Sequence, residues 1–321
     1  MNFKSLIVVF FTMIMSIAIL DAISVQFALA VEYEHKTMWG AKGTAQGEFS
    51  QPSGVATDSQ NNVYVADFTG HSNKMIQKFT NGTFALGFGI FGNGPQYFTN
   101  PTGMDFDSKD NLYIADFGNP QWAVKKFTKD GQFIRSFGTF GLGDAQFITP
   151  GGIGIDSEDN IYVTDFGENN NVQKFDKNGN FLMKFGKPGI GDGGFINPTD
   201  VDIDSIGNIF VVDNGNDVVQ KFDKNGNFLM KFGKPGMGDG EFNAPIEIAI
   251  DSSDNIFIVD NGNDRVQIFN RDGMYLTQFG NTGPMHERLQ DPIGIALDKD
   301  GNAYIPDGRD SDIHVFQPVI E

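Results

Sequence analysis

Four acidic residues break an otherwise regular pattern of small residues in this chain. Asp200 and Asp202 are one residue apart, Glu247 lies 47 positions after Asp200, and Asp105 stands where Asp202 stands in another copy of the same repeat. Equivalent places elsewhere hold Gly54, Gly103, Gly152 and Gly294, or alanine and glycine two residues further on. Side chains alternate along a strand, so Asp200 and Asp202 share one side of it, with Glu247 on the next copy. Carboxylates converging in this way repel unless something cationic sits among them, and calcium, which takes six to eight oxygen ligands, is the natural candidate. A raised pKa within the group would also supply a general base. The competing reading is that these carboxylates accept amides of the loops between copies, or simply face water.

The copies are counted from one duplication. Val219 to Gly240 repeats Val172 to Gly193 over 22 residues with a single change, Ile190 to Met237. The proline after that stretch recurs as Pro52, Pro101, Pro150, Pro198, Pro245 and Pro292, at spacings of 49, 49, 48, 47 and 47. Six repeats result. Each has an aspartate six residues after its proline and then a second aspartate, the latter at Asp67, Asp116, Asp165, Asp213, Asp260 and Asp307. A run closing on phenylalanine follows, and then, in the first five, a Gly turn and a Phe-Gly pair.

Each repeat reads as four short apolar runs rich in Val, Ile, Phe and Tyr, divided by Asn-Gly, Asp-Gly or Asp-Asn turns, which are strand and hairpin signals. Beyond residue 31 no window sustains a helical apolar period. The fold class expected is therefore all-β: a six-bladed β-propeller with four antiparallel strands per blade around a channel. The last repeat stops after its third strand, while Trp39 to Pro52 matches Phe232 to Pro245 in its glycines, its Glu-Phe and its proline. Residues 33–40 should then complete the sixth blade beside Ile313 to Phe316 and remove a free sheet edge.

The first 30 residues differ in kind: one lysine, an apolar run from Leu6 to Leu20 and an Ala28-Leu29-Ala30 ending. They read as a secretory signal peptide, or as a retained membrane anchor if Asp21 is tolerated. In either case residues 31–321 form one propeller domain expected outside the cytoplasm, secreted or tethered to the outer face of the membrane, and monomeric. The chain has no cysteine, so the fold relies on packing and ring closure. The net charge of −18 argues against a nucleic-acid backbone as partner and is compatible with cations, basic partners or solubility alone. Asn81-Gly82-Thr83 is a glycosylation sequon at a hairpin turn.

Other reactive types are sparse. The 32 phenylalanines look like a binding surface until 16 of them map onto equivalent repeat positions, where interblade packing is the simpler reading. The six second-strand aspartates recur in every copy, which favours a structural role in accepting loop N–H groups. The histidines, His35, His71, His286 and His314, fall in unlike contexts, although His71 and His286 both belong to loops of one face. The second repeat places Trp122 in a loop of unusual sequence, Gly118 to Trp122, where it could anchor a partner or pack on its own blade.

The combined pattern, plainest in Asp251 to Gly280, of P-x-G-[IV]-A-x-D, D-x-x-[DG]-N-[IL]-Y-[VI]-x-D, N-D-R-V-Q-I-F, D-G and F-G resembles the NHL repeat, and the resemblance covers all six copies. It implies a six-bladed propeller whose first strands line the channel, with binding surfaces at the loops joining strand 2 to 3 and blade to blade. Such propellers include RNA-binding domains, sensor domains and enzymes such as peptide-amidating lyase, streptogramin lyase and lactonases, so fold alone does not give function. The chain departs from the RNA binders in its acidity, and only Arg265 keeps the usual third-strand arginine. A zinc site of the amidating-lyase type would need more converging histidines. The channel carboxylates resemble in placement the channel metals of lactonase-type propellers. The leading expectation is an exported scaffold that binds a protein, peptide or glycan through its loop face, with Trp122 and His71 as candidate binding residues. The alternative is a divalent-metal-dependent lyase or lactonase-type hydrolase, with Asp200, Asp202, Glu247 and Asp105 holding a metal such as Ca2+.

Overall fold

A computed structural model describes residues 31–68, 75–118 and 122–319. The leader and His71 lie outside the described residues. Among the described residues no helix is long and apolar enough to cross a membrane, and helical structure is limited to three short 3-10 turns.

Six four-stranded antiparallel sheets follow one another along the chain. Their inner strands are Pro52–Thr57, Pro101–Phe106, Pro150–Ile155, Pro198–Ile203, Pro245–Ile250 and the short Ala296–Leu297. The second strands all end on the recurring aspartate, as Val63–Asp67 and Ile209–Asp213 do. The sixth sheet is closed by Tyr33–Gly40, which pairs antiparallel with Asp312–Pro318, Trp39 opposite Ile313 and His35 opposite Phe316. The chain is thus all-β and built as a six-bladed propeller whose ring is shut by its own first strand.

The core lies between blades, where alternation along each strand sends Val, Ile and Phe to both faces of a sheet that is covered on both. The third-strand phenylalanines, such as Phe127, Phe175 and Phe222, are buried against the fourth-strand Phe of the preceding blade at ring separations of 4.9–5.4 Å. A second set, Phe49, Phe98, Phe147, Phe195 and Phe242, is fully buried beneath the loops that lead from one blade to the next. The Phe-Gly pair exists for this plug. At Gly89, φ is +72° and a Cβ would stand 2.4 Å from the Phe98 ring, so only glycine both turns the chain and leaves room.

The blade-to-blade loops share one face with the strand 2 to 3 loops. Each second-strand aspartate is buried there and accepts N–H groups from the loop entering its blade, as Asp67 does from Ser50 and Gln51 and Asp116 from Thr99 and Asn100. Four blades add a third-strand glutamine that spans the same loop: Gln77, Gln173, Gln220 and Gln267 each accept one loop N–H and donate to one loop carbonyl. The opposite face carries the turns opened by Asp58, Asp107, Asp156, Asp204, Asp251 and Asp298, each of which accepts the N–H of an asparagine four residues on. These are ordinary Asx-type turns.

Candidate functional site: the channel and the loop face

Inner strands of adjacent blades approach closely because glycine lines many of their contacts. A Cβ on Gly152 would lie 1.9 Å from Asp200 Oδ1 and 2.5 Å from its Cα, so the glycine opposite is what admits the aspartate. The four carboxylates singled out by sequence, Asp105, Asp200, Asp202 and Glu247, all line one channel cavity of about 270 Å3, whose other walls include Val55, Met104, Ile153 and Ile295. Asp200 and Glu247, two residues into their strands, lie nearer the loop face. Asp105 and Asp202, four residues in, lie deeper by two strand steps, about 7 Å.

Three of the four are fastened to backbone. Asp105 accepts the N–H of Phe106 at 2.7 Å and of Ile155, on the next blade, at 2.9 Å. Asp202 accepts Ile203 at 2.7 Å and, from the next blade, Ile250 at 2.7 Å. Asp200 accepts the N–H of Ile248, also on the next blade, at 3.0 Å. Each therefore stitches one inner strand to its neighbour, blade 2 to 3 and blade 4 to 5. Among the described residues none donates a hydrogen bond to Glu247.

The repulsion expected between these groups is relieved by protons. Burial pushes Asp202 up to about 7 against the pull of its two amide bonds. Asp105 rises well above the carboxylate range, first by burial and then by the charge of Asp202. Glu247 and Asp200 rise well above it too; burial is again the first cause, and each is raised further by neighbouring carboxylates, Asp200 in the case of Glu247. With one oxygen of each aspartate already committed to an amide of the next blade, the set does not fit a preformed calcium site. Among the described residues no group of three or more His, Cys, Asp or Glu is arranged to hold a metal ion.

The loop face is of a different character. Phe91 is 56% exposed, Phe140 57%, Leu142 56%, and Ile190, Met237 and Met285 are each 78% exposed. All six belong to five successive blade-to-blade loops. Four of those loops are braced by short parallel bridges, Phe91 to Phe98, Thr139–Phe140 to Gln146–Phe147, Lys187–Pro188 to Gly194–Phe195 and Pro235 to Phe242, while the loop of Met285 forms a 3-10 turn, Met285–Glu287. The tips are thus held apolar side out on a rigid support. Acidic groups stand among them, including Asp144 and Asp192, whose carboxylates meet Lys184 and Lys231 of the outer strands.

Trp122 is half-buried, its ring 4.5 Å from that of Phe140, and joins the hydrophobic cluster between blades 2 and 3. Together with Pro95 and Thr139 the two rings wall a surface cleft of about 330 Å3. It therefore packs on its own blade and borders a concavity at once. Asn81 is exposed at its hairpin turn, with φ at 50°. The exposed loop tips were not separable in sequence from the buried phenylalanines near them. The signal was positional: they fall on the variable places between the Phe-Gly pair and the plug phenylalanine.

Fold and channel together define a six-bladed β-propeller with inner strands facing a narrow, carboxylate-lined channel. The comparisons agree. The NHL-repeat family matches residues 49–79 and 147–175, and a family described as "6-bladed beta-propeller" matches residues 205–281. The chain is an NHL-repeat six-bladed β-propeller. No curated protein matches it. Similar solved structures include a protein of unknown function from Bacteroides thetaiotaomicron, 16% identical with a TM-score of 0.66, over 89% of this chain and 76% of that one. A gluconolactonase from Xanthomonas campestris is 13% identical with a TM-score of 0.64, over 89% and 99% of the two chains. Virginiamycin B lyase from Staphylococcus aureus is 12% identical with a TM-score of 0.61, over 90% and 100%. At these identities the likeness is one of fold.

Proposed function

We propose that this propeller is an exported binding scaffold that engages a polypeptide partner through its loop face. The observation that carries this reading is the set of apolar tips, Phe91, Phe140, Leu142, Ile190, Met237 and Met285, on five successive loops of one face, four of them braced. Three of these tips, Ile190, Met237 and Met285, are 78% exposed, the highest among the large hydrophobic side chains of the described residues. Methionine and isoleucine at the most exposed tips suit an adaptable contact. The cleft beside Trp122 adds an aromatic anchor point within the same face. The closing strand begins at the opposite end of its blade, so a leader retained as a tether would leave the loop face turned away from the membrane.

The test is selection of peptide binders against the full chain, followed by measurement of their affinity for the variant Leu142→Ser, Ile190→Ser, Met237→Ser. The affinity of the main binder class should fall at least about tenfold, 1.4 kcal/mol, while the thermal midpoint stays unchanged. Binders indifferent to the triple variant and to Trp122→Ala would overturn the reading.

A second reading rests on the four carboxylates converging in one cavity: a lyase or lactonase-type hydrolase with Asp200, Asp202, Glu247 and Asp105 about its centre. Similar folds are found in virginiamycin B lyase and gluconolactonase. For virginiamycin B lyase a histidine-to-alanine variant is described as catalytically inactive. Here no histidine among the described residues lines the channel cavity, and the aspartates are committed to backbone amides. Turnover of a lactone or a lyase substrate that is lost in Glu247→Gln would establish this second reading.

A further inference from the structure

The sixth blade departs from the other five where it is closed. At the third-strand position of Gln77, Gln173, Gln220 and Gln267 it carries His314, and at the position of Arg265 it carries Asp312. The closing strand brings His35 to the same side, with its ring centroid 5.3 Å from that of His314, and both rings lie near Phe316. His35 Nε2, His314 Nδ1 and Asp312 Oδ1 are all buried with no hydrogen-bond partner among the described residues. His314 Nε2 lies 3.4 Å from Asp312 Oδ1 without forming a hydrogen bond. The strand pairing is also irregular here, shifting register between His35 and Thr37.

This is the one joint of the ring made by residues from opposite ends of the chain. Four blades use a glutamine that satisfies its loop at both ends. The closure uses two imidazoles, each with a buried ring nitrogen that has no hydrogen-bond partner among the described residues. Outside the histidines the strand is well held: Tyr33 stacks on Phe279 at 4.9 Å, Lys36 donates to Asn302 at 3.1 Å, and Trp39 packs on Phe79 at 4.3 Å.

We propose that the closing strand is an acid-released latch, in which protonation of His35 and His314 loosens Tyr33–Gly40 from Asp312–Pro318 and opens the sixth blade. Two neutral rings fit the seam, but two imidazoliums would place like charges against each other with a single carboxylate, Asp312, beside them, itself 3.4 Å from His314 and without a hydrogen bond to it. Burial holds both histidines below their ordinary pKa. The groups facing His35 are Glu287 and His286, from the turn before the sixth blade, and His314; those facing His314 are Asp312, at 3.4 Å, Asp307 and Asp310, together with His35. The acidic members pull upward and do not overcome burial. For a depressed pKa, latching stability is complete above the free histidine value and is lost as pH falls below it. Asp312, raised to about 6, works in the opposite sense, and as it gains its own proton it ceases to be a counter-ion for His314.

The reporter is already in place. The chain has two tryptophans, Trp39 on the latch and Trp122. In the full chain with Trp122→Phe, Trp39 emission should shift reversibly to longer wavelength on titration from pH 8 to 5. The shift should vanish in the His35→Gln, His314→Gln variant. Emission unmoved by acid, or a shift undiminished in that variant, would overturn the proposal. If the double variant does not fold, His314→Gln alone, the residue used by four other blades, should move the midpoint to lower pH. Independently, amide exchange of residues 33–40, corrected for its intrinsic pH dependence, should show the opening equilibrium rising about tenfold per unit difference in pKa between latched and released states. An opening equilibrium independent of pH would count against the latch as firmly.

Discussion

Asp202 on the fourth blade accepts the backbone N–H of Ile250 on the fifth at 2.7 Å, so a carboxyl group takes the place of a strand-to-strand bond across the channel wall. The same residue is buried enough to hold its proton near neutrality. Protonation weakens its amide bonds but removes a buried charge, and the second effect is the larger.

The pH dependence of global stability follows from that sign. Asp202 is raised to about 7, Asp165 to about 6, and Asp105, Asp200 and Glu247 well above their ordinary values, all by burial. Folded groups with raised pKa stabilise the protein at low pH and lose that contribution as pH rises through the folded value. The thermal midpoint should accordingly fall between pH 5 and pH 8, opposite to the local loosening expected of the latch. Asp202→Asn, which cannot ionise, should flatten that slope, while its amide, able to accept only one of the two N–H groups that the carboxylate accepts, should lower the midpoint at pH 5. A midpoint that climbs toward pH 8 would show that the channel carboxylates are ionised when folded.

Much of this was legible beforehand because a propeller writes its geometry into a period. The recurring proline marked the start of each inner strand, and Trp39 to Pro52 betrayed the closing strand by matching Phe232 to Pro245. The convergence of Asp105, Asp200, Asp202 and Glu247 also followed from register. Their chemical state did not. Whether a carboxylate binds a cation or an amide depends on how closely the blades on either side approach, and residues such as Gly152, on the blade before Asp200, set that closeness while in sequence being only unremarkable members of a small-residue position. Trp122 shows the same limit, since its burial depends on Phe140 from the next loop. The exposed tips were illegible for another reason: Met237 and Ile190 differ from core residues in nothing but where their loop points.

Metal addition separates the two fates of the carboxylates. With aspartate oxygens taken by Ile155, Ile248 and Ile250, EDTA should leave the melting curve of the purified chain unchanged, and millimolar calcium should not raise it. A bound ion at a hundredfold excess over its Kd would add about 2.7 kcal/mol, an effect that calorimetry resolves easily. A calcium-dependent rise abolished by Glu247→Gln would reverse the assignment.

Lys125 offers a test of how a blade tolerates replacing its loop clasp. It occupies the glutamine position in the second blade, is fully buried, and pairs with Asp116 at 2.6 Å. Lys125→Ala leaves Asp116 buried without its cation, a loss on the order of 3–5 kcal/mol. Lys125→Gln restores the residue of four other blades, where Gln220 donates both to a loop carbonyl and to Asp213, and should cost far less. Denaturant midpoints of the two variants should differ clearly; equal losses would mean that the lysine's charge, and not its bridging of loop and aspartate, is what the blade needs.

The plug phenylalanines set the rigidity of the face proposed to bind. Phe147 is fully buried beneath the loop that presents Phe140 and Leu142, and its ring lies where a side chain on Gly138 would collide at 2.4 Å. Phe147→Ala should cost about 3–5 kcal/mol as a core truncation. Phe147→Leu copies the sixth blade, where Leu289 fills the equivalent space against Gly280, and should retain most of the stability. The two substitutions then divide packing from presentation. If the apolar tips must be held in place to bind, Phe147→Leu will keep affinity for a loop-face peptide, while Phe147→Ala, measured at a temperature where it is still folded, will lose it by faster dissociation. Affinity unchanged in a folded Phe147→Ala protein would mean that the partner itself organises the loop, and that bracing by the plug matters to the fold alone.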